Sequence, residues 1–269
     1  MNASAEVAPF YFGAAGKELF GCLHVPEPEG CLDCGVVVCQ PFGHEYVNSH
    51  RALRQLATRL VDAGFPVLRF DYYGCGDSRG ETSESSLSEW ICNISQAICE
   101  LQQRIEVSKI CLVGLRLGAS LALLSAQQGP CATSLVLWDP VIRGEAYLKE
   151  LTALQKELLR FRPKPRGSQR MRYPLDIFGF PLSEGLCRSI GEIDLLQTPR
   201  KVAEHVLLVE TQAGEGSRQL PGILRTTGAF VDHECLEAPN IWLPTEDGSL
   251  LVPGRVLQSI TSRLVERHA

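Results

Sequence analysis

Five residues, Gly114-Leu115-Arg116-Leu117-Gly118, have the spacing of a turn that presents a nucleophilic side chain above a β-sheet. The apolar run Ile110–Val113 precedes them as a predicted strand, and Gly118–Leu124 follows as a predicted helix. In a G-x-S-x-G turn the two glycines allow the tight passage from strand to helix, and the central side chain stands exposed. The central residue here is Arg116, whose guanidinium stays protonated and cannot attack a carbonyl carbon. The sequence therefore predicts a nucleophile elbow without its nucleophile.

An arginine at this position is suited to binding an anion. The N–H groups at the start of the next helix, from Leu117 onward, carry partial positive charge, and a guanidinium matches a carboxylate or a phosphate. The loop after the predicted strand Cys34–Cys39 should form the opposite wall, where an oxyanion hole usually lies. Its residues are Phe42, Gly43, His44 and Glu45.

An internal ion pair is the alternative role for Arg116. A partly buried arginine without a partner would be costly, and Glu45 and Asp139 should both approach the pocket. We therefore expect the guanidinium within ~4 Å of one of these carboxylates. The two roles overlap, because a paired arginine still has donors for a ligand. His44, beside Glu45, is a candidate general base or a hydrogen-bonding loop residue.

Strand and helix patterns alternate along most of the chain. The continuous apolar run Cys34–Cys39 is typical of an inner parallel strand, and residues 48–63 have apolar side chains at helical spacing before Gly64. A helix capped by Ser86 or Ser88 should run to about Arg104, and Leu251–Arg267 should form the last helix. This alternation predicts an α/β fold with a mostly parallel sheet and helices on both faces.

The chain resembles the α/β-hydrolase superfamily over nearly its whole length, and within it the serine aminopeptidase-like, exosortase-system-associated hydrolases. The motifs that carry this resemblance are Pro41–Tyr46, Arg69–Ser78, Gly114–Gly118, Trp138–Gly144 and Gly179–Leu182. The subgroup tends to have arginine at the elbow, which implies that Arg116 is inherited. The resemblance implies a hydrolase core over residues 1–140 and 201–269, with a cap (lid) insertion over residues 141–200.

The resemblance also tells where a catalytic triad would lie. Its acid would follow the strand His205–Glu210, where Glu210 stands, or the strand Ser134–Trp138, where Asp139 stands. Asp139 could instead be a structural partner of Arg116. The histidine should follow the last strand, but the segment there contains Trp242, which we expect to roof the pocket. His233 lies near the start of that strand and is a weaker candidate base.

Substitute nucleophiles are few, and each has a structural interpretation. Ser120 lies one helical turn after Arg116, Cys39 ends a strand, and Cys75 and Ser78 lie in a glycine-containing loop.

The amino-acid composition gives no indication of binding to nucleic acid or of a membrane span. The net charge of −5 gives no general attraction to nucleic acid or to anionic membranes, and no apolar run approaches the ~20 residues of a membrane span. Eleven cysteines and no recognisable signal peptide favour a reducing cytoplasm. We predict that Cys39, Cys92, Cys99, Cys111 and Cys235 pack as small hydrophobic residues. The isolated Cys31-Leu-Asp-Cys34 does not indicate a metal site, and no cofactor is predicted.

Three functions are compatible with these patterns. The first is a noncatalytic protein that binds a small acyl or carboxylate-bearing molecule at the Arg116 turn, and the second is a hydrolase or acyl transferase with a displaced nucleophile. The third is a docking scaffold that uses six basic residues. These residues could attract an acidic carrier protein, or they could simply belong to a solvated loop. The six are Arg160, Arg162, Lys164, Arg166, Arg170 and Arg172.

Overall fold

A computed structural model describes residues 6–129, 132–160, 175–211, 215–245 and 247–269. Eight strands form one sheet in the order β1-β2-β4-β3-β5-β6-β9-β10. The β1–β2 and β2–β4 pairs are antiparallel, and every other neighbouring pair is parallel. The strands are β1 Glu6–Phe12, β2 Leu19–Val25, β3 Cys34–Cys39, β4 Val67–Phe70, β5 Lys109–Leu115, β6 Ala132–Trp138, β9 Ala203–Glu210 and β10 Phe230–Cys235. The predicted α/β fold is confirmed.

Five helices pack on the two faces of this sheet. They are α1 His44–Asp62, α2 Leu87–Ile105, α3 Leu117–Gln128, α6 Glu215–Thr226 and α7 Gly254–His268. Side chains of α1 and α7 belong to one apolar core, whereas those of α2, α3 and α6 belong to the other. Alternate residues of β3 serve the two cores, Val36 on the α1 side and Val37 on the α2 side. This explains why the strand is a continuous apolar run.

The described residues between β6 and β9 include two further helices and a small hairpin. These are α4 Gly144–Leu159, β7 Leu175–Ile177, β8 Phe180–Leu182 and α5 Glu184–Gly191. Helices α4 and α5 pack closely, since a Cβ on Gly144 would lie 1.5 Å from the Ile190 carbonyl oxygen. The division into a hydrolase core and a cap over residues 141–200 stays a prediction.

Two helices begin at residues other than the expected ones, and one helix was not expected. Helix α1 begins at His44 rather than Asn48, and α7 begins at Gly254 rather than Leu251. Helix α6 has no counterpart in the sequence analysis, because Pro221 is unfavourable within a helix. Its buried leucines, Leu220 and Leu224, are four residues apart and hold it against the core. Tertiary packing has therefore outweighed local propensity.

None of the helices in the described part of the chain combines the length and the hydropathy needed to cross a lipid bilayer.

Candidate functional site

The turn between β5 and α3 holds Arg116 in an unusual backbone conformation. Its φ is 53° and its ψ is −123°, which is rare for a residue with a side chain. The Arg116 N–H donates to the Trp138 carbonyl oxygen (3.0 Å), and the Arg116 carbonyl oxygen accepts from Val141 N–H (3.4 Å). These bonds attach the turn to the end of β6. Strain of this kind is concentrated at functional sites in proteins.

The two glycines of the turn are needed for close packing. A Cβ on Gly114 would lie 2.4 Å from the Ala119 Cα, and one on Gly118 would lie 2.2 Å from the Cys39 carbonyl oxygen. Both distances are far inside van der Waals contact. The G-x-x-x-G spacing therefore lets α3 start directly against the ends of β3 and β5.

Arg116 forms ion pairs with two glutamates on different helices. Its Nε donates to Glu45 Oε1 (2.9 Å), and its Nη2 donates to Glu150 Oε1 (2.7 Å). The predicted ion pair is confirmed for Glu45. Glu150 lies on α4 and was missed, since nothing in the helical spacing of α4 distinguishes it from neighbouring acids. The Arg116 and Glu45 side chains are 11% and 1% exposed, whereas that of Glu150 is 48% exposed.

Two aromatic rings lie near the guanidinium. Its Cζ is 4.7 Å from the centre of the Trp242 ring and 5.5 Å from that of Tyr147, within the range of cation–π attraction. The Tyr147 hydroxyl also donates to Glu45 Oε2 (2.9 Å), so both oxygens of that carboxylate are bonded. Trp242 therefore lies against the guanidinium, and its role as the roof of a ligand pocket stays a prediction.

Protonation in this cluster reflects burial and pairing. Burial raises the pKa of Glu45. Arg116 and Tyr147 act in the opposite direction, because their charge and hydrogen bonds stabilise the carboxylate. Burial alone would lower the pKa of Arg116, but the carboxylates of Glu45 and Glu150 more than offset it and raise that pKa. Arg116 is therefore a permanent cation, with Glu45 as its enclosed counter-ion.

Asp139 has a different role from the one predicted. Its Oδ1 accepts from Thr211 N–H (2.9 Å) and its Oδ2 from Thr211 Oγ1 (2.7 Å), which joins the ends of β6 and β9. Within the described ranges no ion pair links Asp139 to Arg116, so the expectation that it is a structural partner of Arg116 is wrong. Burial raises the pKa of Asp139, and the two bonds from Thr211 oppose that shift.

The loop after β3 is packed against aromatic residues. Phe42 contacts the rings of Trp90 and Phe180, and Gly43 has a φ of 60° with Phe180 directly above it. This geometry lets the chain turn into α1, which starts at His44. Leu117, the first residue of α3, is fully buried.

His44 is buried beside the Arg116 cluster. Its ring lies edge-on to Phe178 at 5.0 Å, and its Nε2 has no hydrogen-bond partner among the described residues. Burial and the nearby Arg116 cation lower the pKa of His44 to about 4. The imidazole is therefore neutral at pH 7 and has little tendency to take a proton, so it is a poor general base.

The four candidate substitute nucleophiles are all engaged in packing or hydrogen bonds. Ser120 is fully buried and donates to the Val141 carbonyl oxygen (2.8 Å). Ser78 Oγ donates to the Asp71 carbonyl oxygen (2.6 Å). Burial raises the pKa of both Cys39 and Cys75 to about 12, so neither thiol forms a thiolate near neutral pH.

The remaining predicted residues lie away from the Arg116 turn or outside the described residues. His233 Nε2 lies 2.5 Å from Glu210 Oε2, so the two residues named as possible base and acid contact each other. Cys235, on the same strand, is exposed, as are Cys92 and Cys99, and the prediction that these three pack as hydrophobic residues is wrong. Of the six basic residues, Arg160 is described and exposed, and the other five fall within 161–174, outside the described residues.

The strand order and the helices on both faces define an α/β-hydrolase fold. The family model described as serine aminopeptidase, S33 matches residues 36–176, more than half of the chain, and the chain belongs to that family. No curated protein sequence matches it.

Solved structures of similar fold cover nearly the whole chain. Est1E from Butyrivibrio proteoclasticus, solved with ferulic acid bound, is 20% identical over 96% of this chain and 98% of its own, with a TM-score of 0.67. The Pyrococcus furiosus esterase Pf2001 is 17% identical over 98% of this chain and 90% of its own, with a TM-score of 0.67. An alpha-beta serine hydrolase homologue from Coxiella burnetii is 14% identical over 97% of both chains, with a TM-score of 0.58. At these identities the likeness concerns the fold.

Proposed function

We propose that this α/β-hydrolase-fold protein binds a small carboxylate-bearing or acyl molecule at Arg116 and lacks the serine and histidine of a working triad. The observation that carries the proposal is the buried, strained Arg116, paired with Glu45 at the end of β5. An arginine there cannot act as a nucleophile, and its permanent charge favours an anion. Trp242 lies over the guanidinium, in the segment where the family's histidine is expected.

The two ion-pair partners of Arg116 have different roles in this proposal. Glu45 is enclosed and held by Tyr147, so it stays in place and orients the guanidinium. Glu150 is half exposed on α4, so it can turn into solvent. A ligand carboxylate would take the place of Glu150 on Nη2, and the charge of the site would not change.

Donors remain for such a ligand. A guanidinium has five N–H groups, and the bonds to Glu45 and Glu150 use two of them. No described residue accepts from Nη1. The backbone at the start of α3 adds the partial positive charge of a helix N-terminus. Phe42, His44 and Trp242 would contribute apolar contacts for the rest of the ligand.

The segment 141–200 would serve as the cap in this scheme. Its helix α4 supplies both Tyr147 and Glu150, so movement of α4 would couple ligand entry to the Arg116 cluster. A cytoplasmic location and an acidic carrier protein, docked by the basic residues, stay predictions.

Covalent labelling tests the missing triad. We expect no adduct when the purified protein is incubated with a fluorophosphonate probe, as measured by intact-mass spectrometry. A serine hydrolase labelled in parallel provides the positive control. Stoichiometric labelling of any serine would contradict the proposal.

Binding of carboxylates tests the site itself. Because ferulic acid is bound in the similar Est1E structure, ferulate and short-chain fatty acids are suitable probes. We expect Glu150→Gln to bind them about two- to fivefold more tightly by calorimetry, since the competing exposed carboxylate is removed. Glu157→Gln, an exposed acid on the same helix, is the matched control and should leave affinity unchanged. Equal affinity in wild type and Glu150→Gln would place the ligand elsewhere.

The second candidate is an active esterase-like or thioesterase-like hydrolase, or an acyl transferase, with a displaced nucleophile. It is favoured by full-length likeness to structures described as esterases. Screening short acyl esters and thioesters against wild type and Arg116→Ala discriminates between the two. Turnover above background by wild type would support catalysis, whereas none in either protein would support binding.

A further inference from the structure

Three side chains with different metal-binding atoms converge at the β9–β10 edge of the sheet. They are Glu210, His233 and Cys235, and we call them the edge cluster. Their ligand atoms all lie within 4.8 Å of one another. His233 Nε2 is 2.5 Å from Glu210 Oε2 and 3.6 Å from Cys235 Sγ.

The parallel pairing of the two strands brings these residues together. Cys235 is the register partner of Glu210, and His233 precedes Cys235 by two residues. Alternation along a strand places residues two apart on the same face, so all three side chains project from one face of the sheet. The side chains of Glu210 and His233 are 3% and 24% exposed, and Cys235 is exposed. A solvated ion can therefore reach the cluster from the side of β10.

The contacts of the histidine distinguish a metal site from a catalytic relay. In a nucleophile–histidine–acid relay, the nucleophile and the acid bond to different nitrogens of the ring. Here the glutamate and the cysteine both approach Nε2 of His233. That arrangement directs three donors toward one point, which a metal ion can occupy in place of the shared proton.

We propose that the edge cluster binds a divalent transition-metal ion, with Zn²⁺ as the preferred ion. Imidazole, thiolate and carboxylate are the donors that zinc prefers, and a site with three protein ligands takes water in the fourth position. The Arg116 site shares none of these ligands, so the proposal stands or fails independently of the ligand-binding function.

One of the measured distances matches tetrahedral coordination. Zn–N bonds of about 2.05 Å and a Zn–S bond of about 2.3 Å at tetrahedral angles place nitrogen and sulfur about 3.6 Å apart. This equals the His233 Nε2 to Cys235 Sγ distance of 3.6 Å. The nitrogen–oxygen pair would have to widen from 2.5 Å to about 3.4 Å, so the His233 and Glu210 side chains would move apart when the ion binds.

Charge also favours a cation at this place. A carboxylate as buried as Glu210 needs a compensating positive charge. Metal ions bind the thiolate and the neutral imidazole forms of such ligands, so affinity for Zn²⁺ should rise as the pH increases.

The test uses the full-length chain, stripped of metal with a chelator and kept reduced. Zn²⁺ binding is measured by calorimetry, and Co²⁺ is used as a spectroscopic probe. We expect one Zn²⁺ per chain and, with Co²⁺, the near-ultraviolet charge-transfer absorption of a thiolate ligand together with the visible bands of a tetrahedral site. Cys235→Ser should remove the charge-transfer band, and His233→Ala should weaken Zn²⁺ binding at least about tenfold.

Matched controls separate this cluster from other surface ligands. Cys92→Ser changes another exposed cysteine, and His50→Ala changes an exposed histidine on α1. Both should bind like wild type, and circular dichroism should show that all the variants are folded. A Co²⁺ spectrum without thiolate absorption, or one that Cys235→Ser leaves unchanged, would overturn the proposal.

Discussion

At the scale of single residues, Arg116 is defined by its enclosed counter-ion. Glu45 is nearly inaccessible, and both of its carboxylate oxygens are bonded, one to Arg116 and one to Tyr147. Replacing a buried ion pair with apolar or neutral residues is often tolerated, but removing one partner leaves a buried charge without compensation. The two kinds of change should therefore differ in their effect on stability.

Arg116→Ala should lower the free energy of unfolding by about 3–5 kcal/mol, because Glu45 loses its cation. The double variant Arg116→Met with Glu45→Gln should lose distinctly less, since no uncompensated charge remains. Urea denaturation of wild type, Arg116→Met, Glu45→Gln and the double variant gives the coupling energy. Additive effects of the two single changes would contradict an interacting pair.

At the scale of elements, the β5–α3 turn depends on two backbone approaches. Helix α3 starts directly under β3, because Gly118 has no Cβ to meet the Cys39 carbonyl oxygen. The spacing of the two glycines therefore indicates close packing between the helix and the strands. It does not by itself require a nucleophile between them.

Gly118→Ala should destabilise the protein by about 1–3 kcal/mol, because the new methyl group would overlap backbone atoms that cannot rotate away. Gly222→Ala in α6 is the matched control. Its Cβ would meet nothing within 4 Å, so this change should stabilise by about 0.5–1 kcal/mol through a better helix propensity. Thermal unfolding of both variants measures the difference. Equal shifts in the same direction would argue against close packing at the turn.

At the scale of the whole molecule, buried histidines should make global stability depend on pH, and both His24 and His44 have a pKa of about 4. Burial and the Arg69 cation lower the pKa of His24 to about 4, and Arg69 Nε donates to His24 Nε2 (3.1 Å). Between about pH 6.5 and pH 4 the unfolded chain binds a proton at this residue that the folded chain does not. Stability is therefore lost as the pH falls through that window.

His24→Gln should remove up to about 3 kcal/mol of the loss in unfolding free energy between pH 7 and pH 4. Denaturant titrations at both pH values, in wild type and variant, measure this difference. His50→Gln, at an exposed position of α1, is the control. An unchanged pH dependence in His24→Gln would show that this histidine is protonated equally in both states.

Local patterns could be predicted from the order of the residues alone. The apolar run of β3, the spacing of Gly114 and Gly118, and the presence of an arginine between these glycines can all be read from neighbouring residues. The pairing with Glu45 could also be predicted, since a buried cation needs an anion and the loop after β3 ends at the same edge of the sheet. Helix α6 was missed because Pro221 is unfavourable within a helix and the apolar face is short. The helix is favourable only because that face packs against the core.

Other contacts between side chains that are distant in the chain could not be predicted in this way. Glu150 contacts Arg116 because α4 passes over the turn. Thr211 donates hydrogen bonds to the Asp139 carboxylate because β6 and β9 end side by side. Glu210 meets His233 and Cys235 through the register of two parallel strands. Such contacts depend on the relative placement of whole elements, whereas sequence patterns report only which side of its own element a residue occupies.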